Sequence, residues 1–325
     1  MPSVSVNELQ TLKRIPRTTD LGNFRPVQKI AKSVPGFEGE GFPVNRAFIN
    51  LTLQDLDPFI MMDEMGAVEY QVGEAKGTPW HPHRGFETVT YMIDGIIEHK
   101  DSHGGGGRIT NGDTQWMTAG SGLLHIESPP EKSVLEGGLF HGIQLWVNLP
   151  KSKKWSLPKY QDIRSHDIEL LSSSDGGSLV RIIAGRLSED ISGPGSTMTP
   201  INFFHLTINP NSAVELNWPT GFNALGYALS GNGSVGQERQ PISPGETCLF
   251  GNGDKLLVAG SRIDTESAKL ELILLGGLPI NQPVAWYGPF VMNSKDELKE
   301  AFDDYRSGKL GTIPANYSIP QGYQQ

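Results

Sequence analysis

The chain has 325 residues and a net charge of −9, from 27 Lys and Arg against 36 Asp and Glu. This length favours two domains with a sizeable core, and the acidic balance argues against a nucleic-acid-binding surface. The single cysteine, Cys248, excludes an internal disulfide framework and is expected to be a buried core residue in a protein of a reducing compartment.

The sequence has no run of eighteen apolar residues, and its N-terminus lacks the apolar segment of a secretory signal. We therefore expect a soluble, cytoplasmic protein with no membrane partner; a nuclear location is also compatible if the source is eukaryotic. The 39 glycines and 23 prolines are spread along the chain, which favours many short strands joined by turns.

Short runs that are β-branched or alternate with a period of two recur along the chain and predict strands. Turn-forming residues separate them, such as Asn111-Gly112-Asp113 and Ser243-Pro244-Gly245. The predicted fold class is all-β, built from barrels or jelly rolls. The predicted strands cover residues 86–93, 95–99, 107–110, 114–118, 142–147, 179–184, 203–208, 224–229, 246–250, 255–259 and 270–275.

One helix is predicted near the end of the sequence. Ser294 and Glu297 have the spacing of a capping box, an apolar stripe follows them, and Gly308 is a stop signal. We expect this helix to pack on the outside of a barrel.

The elements group into two barrels joined by an irregular segment. Residues 45–150 are predicted to form a metal-binding barrel, 151–167 a lysine-rich linker, and 168–325 a second barrel. The turns of the two halves resemble each other, which suggests a duplicated barrel. Because no histidine follows His205, we expect only the first barrel to hold a metal. Residues 1–44 form an N-terminal extension to which the sequence assigns no role.

Two pairs of residues in the first half have the donor chemistry of a metal site. His81 and His83 are spaced by two, as are His125 and Glu127. Side chains on a strand alternate between faces, so both members of each pair are expected to point the same way. Three imidazoles and one carboxylate suit Fe(II), Mn(II), Ni(II), Cu(II) or Zn(II). Such a set leaves coordination positions open, unlike a closed structural zinc site.

Three stretches resemble the pirin family, whose members are two-domain proteins of the cupin superfamily. Residues 81–91 read HPHRGFETVTY, residues 113–127 read DTQWMTAGSGLLHIE, and residues 288–293 read GPFVMN before the predicted helix. The resemblance extends from about residue 45 through most of the chain. It implies two tandem cupin domains with a short C-terminal helix.

The resemblance to pirins implies a ligand set, which is His81, His83, His125 and Glu127. A general cupin pattern would instead favour Glu87 as the carboxylate ligand. We prefer Glu127 because the similarity is to pirins in particular, and Glu87 then becomes a candidate to orient a ligand imidazole from the same cavity. Either carboxylate, Glu127 or Glu87, is a candidate catalytic base.

Two functions follow from the resemblance. Some pirin-like proteins act as quercetin 2,3-dioxygenases, which implies Fe(II) or another divalent metal, a flavonol substrate and O2, with release of carbon monoxide. Other pirins resemble regulators that bind protein partners and use the oxidation state of iron as a switch. An open pocket over the metal would favour the enzyme, because a switch also works with a narrow one.

Overall fold

The computed structural model describes residues 9–18, 21–262 and 269–313. In these residues the protein is all-β, as predicted, with two barrels and a C-terminal helix. The short helices are α1 (Leu53–Leu56) and α2 (Glu131–Glu136), and the longer one is α3 (Lys295–Arg306). No helix of the described part is long and apolar enough to cross a membrane.

Many of the strands are short. Up to residue 148 they are β1 (Lys13–Arg14), β2 (Val27–Lys32), β3 (Val34–Glu38), β4 (Phe42–Arg46), β5 (Phe59–Tyr70), β6 (His81–His83), β7 (Phe86–Asp94), β8 (Ile97–Asp101), β9 (Gly106–Ile109), β10 (Thr114–Thr118), β11 (Leu123–Ser128) and β12 (Gly138–Asn148). After residue 148 they are β13 (Lys159–Ile163), β14 (Glu169–Ser172), β15 (Ser178–Ala184), β16 (Arg186–Ser188), β17 (Ile191–Ser192), β18 (Ile201–Ile208), β19 (Ala213–Asn217), β20 (Leu225–Ser230), β21 (Gly233–Val235), β22 (Gln240–Ile242), β23 (Glu246–Phe250), β24 (Lys255–Gly260), β25 (Leu270–Gly277), β26 (Ala285–Tyr287) and β27 (Phe290–Met292).

Each barrel combines a large sheet with a small one. The first barrel has a seven-stranded sheet in the order β13-β10-β7-β12-β5-β4-β3 and a four-stranded sheet in the order β6-β11-β8-β9. The second has an eight-stranded sheet, β1-β14-β15-β18-β25-β20-β23-β2, and a four-stranded sheet, β19-β24-β21-β22. The predicted strands at 114–118 and 246–250 match β10 and β23 in both bounds.

Segments that the sequence left irregular also pair into sheets. The predicted linker contains β13, which pairs with β10 of the first barrel. The predicted N-terminal extension supplies strands to both barrels, because β2 pairs with β23 of the second, and β4, which begins in the extension, pairs with β5 of the first. The edge strands β2 and β3 show no regular alternation of buried and exposed residues, so their period-two signal in the sequence is weak.

The two large sheets pack face to face and share one core. Val89, Tyr91 and Ile93 of β7 are fully buried there against residues such as Phe203 and Ile273 of the second barrel. The hydroxyl of Tyr91 also lies 2.9 Å from Nδ1 of His205, a buried polar contact between the barrels. Because strand residues alternate, Thr88 and Thr90 of β7 face the other way, into the first barrel.

The interior of the second barrel is filled with hydrocarbon side chains. Phe204, Leu206 and Ile208 of β18 pack there with residues of the small sheet such as Val214 and Val258. Cys248 lies in the same cluster and is fully buried, as predicted, and burial raises the pKa of its thiol to about 12. This cysteine is therefore a core residue.

The C-terminal segment returns from the second barrel to the first. Helix α3 begins at the predicted capping box, where Ser294 and Glu297 exchange hydrogen bonds with each other's backbone. Asp304 of α3 forms a buried ion pair with Arg84, 3.0 Å apart. The backbone of Val291 in β27 donates to the carbonyl of Arg84. The helix thus covers the first barrel beside the predicted histidines.

A buried lysine holds this segment in place. The ammonium of Lys154 donates to the carbonyls of Gly85 and Val291 and to Oδ1 of Asn148, at 2.7–2.8 Å. Burial lowers its pKa to about 7. Gly85 allows the close approach, because a Cβ there would lie 2.0 Å from the Val291 carbonyl oxygen. Lys154 thereby joins the turn after β6 to the C-terminal hairpin.

We expect Lys154→Met to lower the free energy of unfolding by about 3 kcal/mol, because it leaves buried acceptors without a donor. Urea denaturation followed by circular dichroism measures this change. The matched control is Lys153→Met, whose side chain is exposed and whose effect should stay within about 0.5 kcal/mol. Equal free energies of unfolding for the two variants would contradict the stabilising role of Lys154.

Candidate metal centre

The predicted histidine pairs lie on two neighbouring strands of the small sheet. Strand β6 pairs with β11 in antiparallel register, and His81 stands directly opposite His125. His83 is two residues along β6 from His81 and therefore projects from the same face. The strand spacing expected from the sequence thus brings three imidazoles together.

The ring nitrogens of these histidines form a compact donor set. One nitrogen from each of His81, His83 and His125 lies within 4.8 Å of the others, and Nε2 of His81 is 3.1 Å from Nε2 of His83. Nε2 of His125 is buried and has no hydrogen-bond partner. Ring nitrogens that converge on one point, one of them buried without a partner, fit a divalent ion that accepts imidazole ligands.

Each ring is held from its outer side through Nδ1. His81 donates from Nδ1 to the carbonyl of Pro79 at 2.8 Å, and His83 to that of Pro289 at 3.2 Å. Nδ1 of His125 lies 3.3 Å from Nδ1 of His99. A hydrogen on Nδ1 leaves the lone pair on Nε2, so the two carbonyl contacts fix the tautomer in which His81 and His83 ligate a metal through Nε2.

The surroundings keep the three imidazoles neutral. Burial lowers the pKa of His83 and His125 well below the ordinary histidine value, and neighbouring imidazoles lower both further. Burial also lowers the pKa of His81, although the Pro79 carbonyl and the Glu127 carboxylate act in the opposite direction. Neutral imidazole is the form that binds metals.

His99 is a contact of the site that the sequence analysis did not assign. It is fully buried and stacks on Tyr160, with ring centroids 5.0 Å apart. The carboxylate of Asp101 lies 3.6 Å from its Nε2, while the backbone of His103 and Gly105 holds that carboxylate. The two-residue spacing of His99 and Asp101 in the sequence could have indicated that both side chains point to one face of a strand. Which way their strand faces depends on its pairing with β11, where His99 stands opposite Glu127.

Glu127 lies beside the histidines and is buried. Its Oε1 accepts hydrogen bonds from Thr90, at 2.8 Å, and from Gln115. In the described residues, the donor atoms within 4.8 Å of one another belong to the three histidines and do not include Glu127. The role of Glu127 as a fourth ligand therefore stays a prediction.

The structure does not bring Glu87 to the histidines. We expected its side chain to lie in the same cavity as that of His83. The chain turns at Gly85, however, whose φ is +91°, and His83 and Glu87 belong to different sheets. Glu87 accepts instead from Thr118, at 2.7 Å, and from the backbone of Met198, at 3.3 Å. It therefore faces the second barrel, so it cannot orient a ligand imidazole.

A cavity of about 690 Å³ opens on the histidines. His81, His83 and Glu127 lie at one end of it, and the C-terminal hairpin contributes to its rim. Trp146 stacks on Phe86, with ring centroids 4.2 Å apart. The walls of the cavity are largely apolar and include Phe42, Val44, Met61, Met65, Trp146, Trp286 and Tyr287. Its size and lining suit an aromatic ligand of moderate size.

Two tandem barrels, one of which gathers imidazoles inside its small sheet, define a two-domain cupin. The chain belongs to the pirin family. The family model described as Pirin matches residues 41–147, and that of the Pirin C-terminal cupin domain matches residues 203–311. Both jelly-roll domains expected from the sequence are thereby confirmed as cupins.

Relatives are similar over most of the chain. A pirin-like protein of Solanum lycopersicum is 41% identical over 275 residues, which is 84% of this chain and 89% of that protein. Pirin of Homo sapiens is 35% identical over 294 residues, or 90% and 96% of the two chains. A crystal structure of quercetin 2,3-dioxygenase from Acinetobacter baumannii has a TM-score of 0.82 and 35% identity, covering 90% of this chain and 100% of that one.

The double variant His81→Ala/His83→Ala should lose stoichiometric metal binding, because it removes two of three converging donors. Elemental analysis of the purified protein measures this loss, and near-ultraviolet circular dichroism checks that the C-terminal barrel stays folded. His166→Ala is the matched control, since His166 is exposed and lies outside the donor set. Full metal content in the double variant would refute the assignment.

His99→Phe should weaken metal affinity about 10- to 100-fold, because the ring of His125 loses its contact at Nδ1. Phenylalanine keeps an aromatic ring against Tyr160, so the packing is largely preserved. Competition with a chromophoric chelator measures the affinity. His103→Phe is the control, because that side chain is exposed. If both variants bound metal like the wild type, His99 would have no positioning role.

Proposed function

We propose that this pirin-family protein is an oxidoreductase of the quercetin 2,3-dioxygenase type that uses Fe(II) and O2. The observation that carries the proposal is the cavity of about 690 Å³ that reaches His81, His83 and Glu127. An oxygenase has to admit its substrate to the metal, whereas a redox-responsive regulator acting through protein partners needs no such space. The similarity to the Acinetobacter baumannii enzyme also supports this function.

The residues that would hold the metal are His81, His83 and His125, through Nε2, with Glu127 as the proposed fourth ligand. When bound, Fe(II) supplies a positive charge that lowers the pKa of a substrate hydroxyl and an electron source for the reaction with O2. The Nδ1 contacts described above hold the imidazoles in position.

Glu127 is the carboxylate to which we assign the proton of the flavonol hydroxyl. Thr90 and Gln115 both donate to Oε1, which orients the group and leaves Oε2 available to accept that proton. The O–H bond of the substrate breaks as the O–H bond of the carboxyl forms. Glu87 is not assigned this role, because its carboxylate bonds to Thr118 and Met198 toward the second barrel.

The cavity walls would position the rest of the substrate. Trp146 is braced by Phe86 and also lies edge-on to His83, with centroids 5.1 Å apart. Such a wall favours a flat ring and excludes water from it.

We further propose a reducing compartment such as the cytoplasm, since a chain whose single cysteine is Cys248 can form no internal disulfide.

The Fe(II)-loaded protein should consume O2 when quercetin is added, and an oxygen electrode measures the rate. The metal-free protein and the His81→Ala/His83→Ala variant should give only the background rate. Loading with Mn(II), Ni(II), Cu(II) or Zn(II) in parallel identifies the metals that support turnover.

Traces for the iron form that match the metal-free control would count against the dioxygenase. Stoichiometric iron binding without O2 uptake would instead favour the regulatory alternative. In that case a change in accessible surface between the Fe(II) and Fe(III) forms would be sought by hydrogen exchange.

A further inference from the structure

A second carboxyl lines the cavity, at a position that the sequence analysis did not select. Asp63 of β5 is 3% exposed, and its Oδ2 is buried without a hydrogen-bond partner. An unpaired buried carboxyl oxygen destabilises the folded state, and such groups are rare in native proteins outside functional sites. Asp63 lines the same cavity as His81 and Glu127. A hydroxyl of a ligand bound in that cavity would supply the partner that this oxygen lacks.

Strand register fixes where Asp63 lies relative to the metal end. Asp63 stands opposite Gln144 of β12, and Gln144 stands opposite Thr90 of β7. The hydroxyl of Thr90 lies 2.8 Å from Oε1 of Glu127 and 2.8 Å from Oε1 of Gln144. Adjacent strands are about 4.8 Å apart, so the backbone of Asp63 lies about 10 Å from that of Thr90. The cavity therefore has two polar ends on one row of the sheet.

Apolar side chains flank Asp63 along its own strand. Met61 and Met65 are two residues before and after Asp63 on β5, so they project from the same face, and both line the cavity. With Trp146 they form a wall on which a flat hydrocarbon skeleton can lie. A ligand that satisfies both ends and this wall is a planar aromatic with hydroxyl groups at opposite ends.

We propose that Asp63 is a specificity-determining residue that accepts a hydrogen bond from a hydroxyl on the ring remote from the metal end. The inference rests on the proposed function, since it takes the ligand to be a flavonol. It narrows the substrate class to flavonols that carry hydroxyls on that remote ring. A flavonol without them would leave Oδ2 of Asp63 unpaired in the complex.

The charge on Asp63 is set by its surroundings. Burial raises the pKa of its carboxyl to about 7. The neighbouring positive charge of Arg46 lowers this pKa, and the negative charge of Glu38 raises it. The ionised carboxylate accepts a stronger hydrogen bond than the neutral acid. The titratable and charged groups that share the cavity with Asp63 are Glu38, Arg46, His81, His83, Glu127 and Tyr287.

The test compares two ligands that differ in their remote hydroxyls. Quercetin carries them, whereas 3-hydroxyflavone keeps only the hydroxyl directed at the metal end. Quenching of tryptophan fluorescence gives the Kd of each for the metal-loaded protein, because Trp146 and Trp286 line the cavity. Asp63→Asn should weaken quercetin binding about 10-fold and Asp63→Leu about 100-fold, while both leave 3-hydroxyflavone within about 2-fold.

Glu69→Gln is the matched control, since Glu69 lies on the same strand and is exposed. In the wild type, the preference for quercetin over 3-hydroxyflavone should increase from pH 6 to pH 8 as Asp63 ionises, and Asp63→Asn should remove this increase. Equal losses for the two ligands, or no loss for quercetin in either Asp63 variant, would overturn the assignment.

The readouts separate this inference from the proposed function. If quercetin binds in an Asp63-dependent way but no O2 is consumed, the dioxygenase is refuted and the role of Asp63 stands. If the wild type consumes O2 with quercetin and both Asp63 variants keep the wild-type Kd and KM, the dioxygenase stands and the role of Asp63 is refuted.

Discussion

The antiparallel pairing of β6 with β11 is the interaction on which the candidate centre depends. It sets His81 opposite His125, and the period of two along β6 adds His83 to the same face. Backbone carbonyls hold His81 and His83 at Nδ1, and His99 contacts Nδ1 of His125. The convergence of the ring nitrogens is thus a property of the fold, which prepares the donor set before any ion binds.

The two barrels of this pirin share an architecture but differ in what fills them. Hydrocarbon side chains such as Phe204 and Leu206 occupy the second barrel. The first carries Asp63, Thr90 and Glu127 on inward positions of its strands. Buried polar groups of this kind reduce stability unless they are paired, so their concentration around one cavity points to function there. The large sheet of the first barrel packs against that of the second, whose apolar interior provides a stable core.

Exchange of chain segments makes the two barrels one unit. The N-terminal strand β2 completes the sheet of the second barrel, while the C-terminal hairpin and α3 cover the first. The Pro289 carbonyl from this hairpin contacts Nδ1 of His83, so a segment that follows the second barrel helps to orient a ligand in the first. Lys154 stabilises this arrangement from the segment between the barrels. The centre therefore depends on the whole chain and not on the first barrel alone.

The sequence by itself determined the features that repeat over short distances. Strand period placed His81 with His83, and the capping box at Ser294 set the start of α3. The same local pattern misled for Glu87, because a turn at Gly85 changes the sheet and the face between it and His83. Only the tertiary structure decided that His99 is buried against His125 and that Asp63 lines the cavity. Local spacing fixes which residues share a face, but long-range strand pairing decides which face lies inside a barrel.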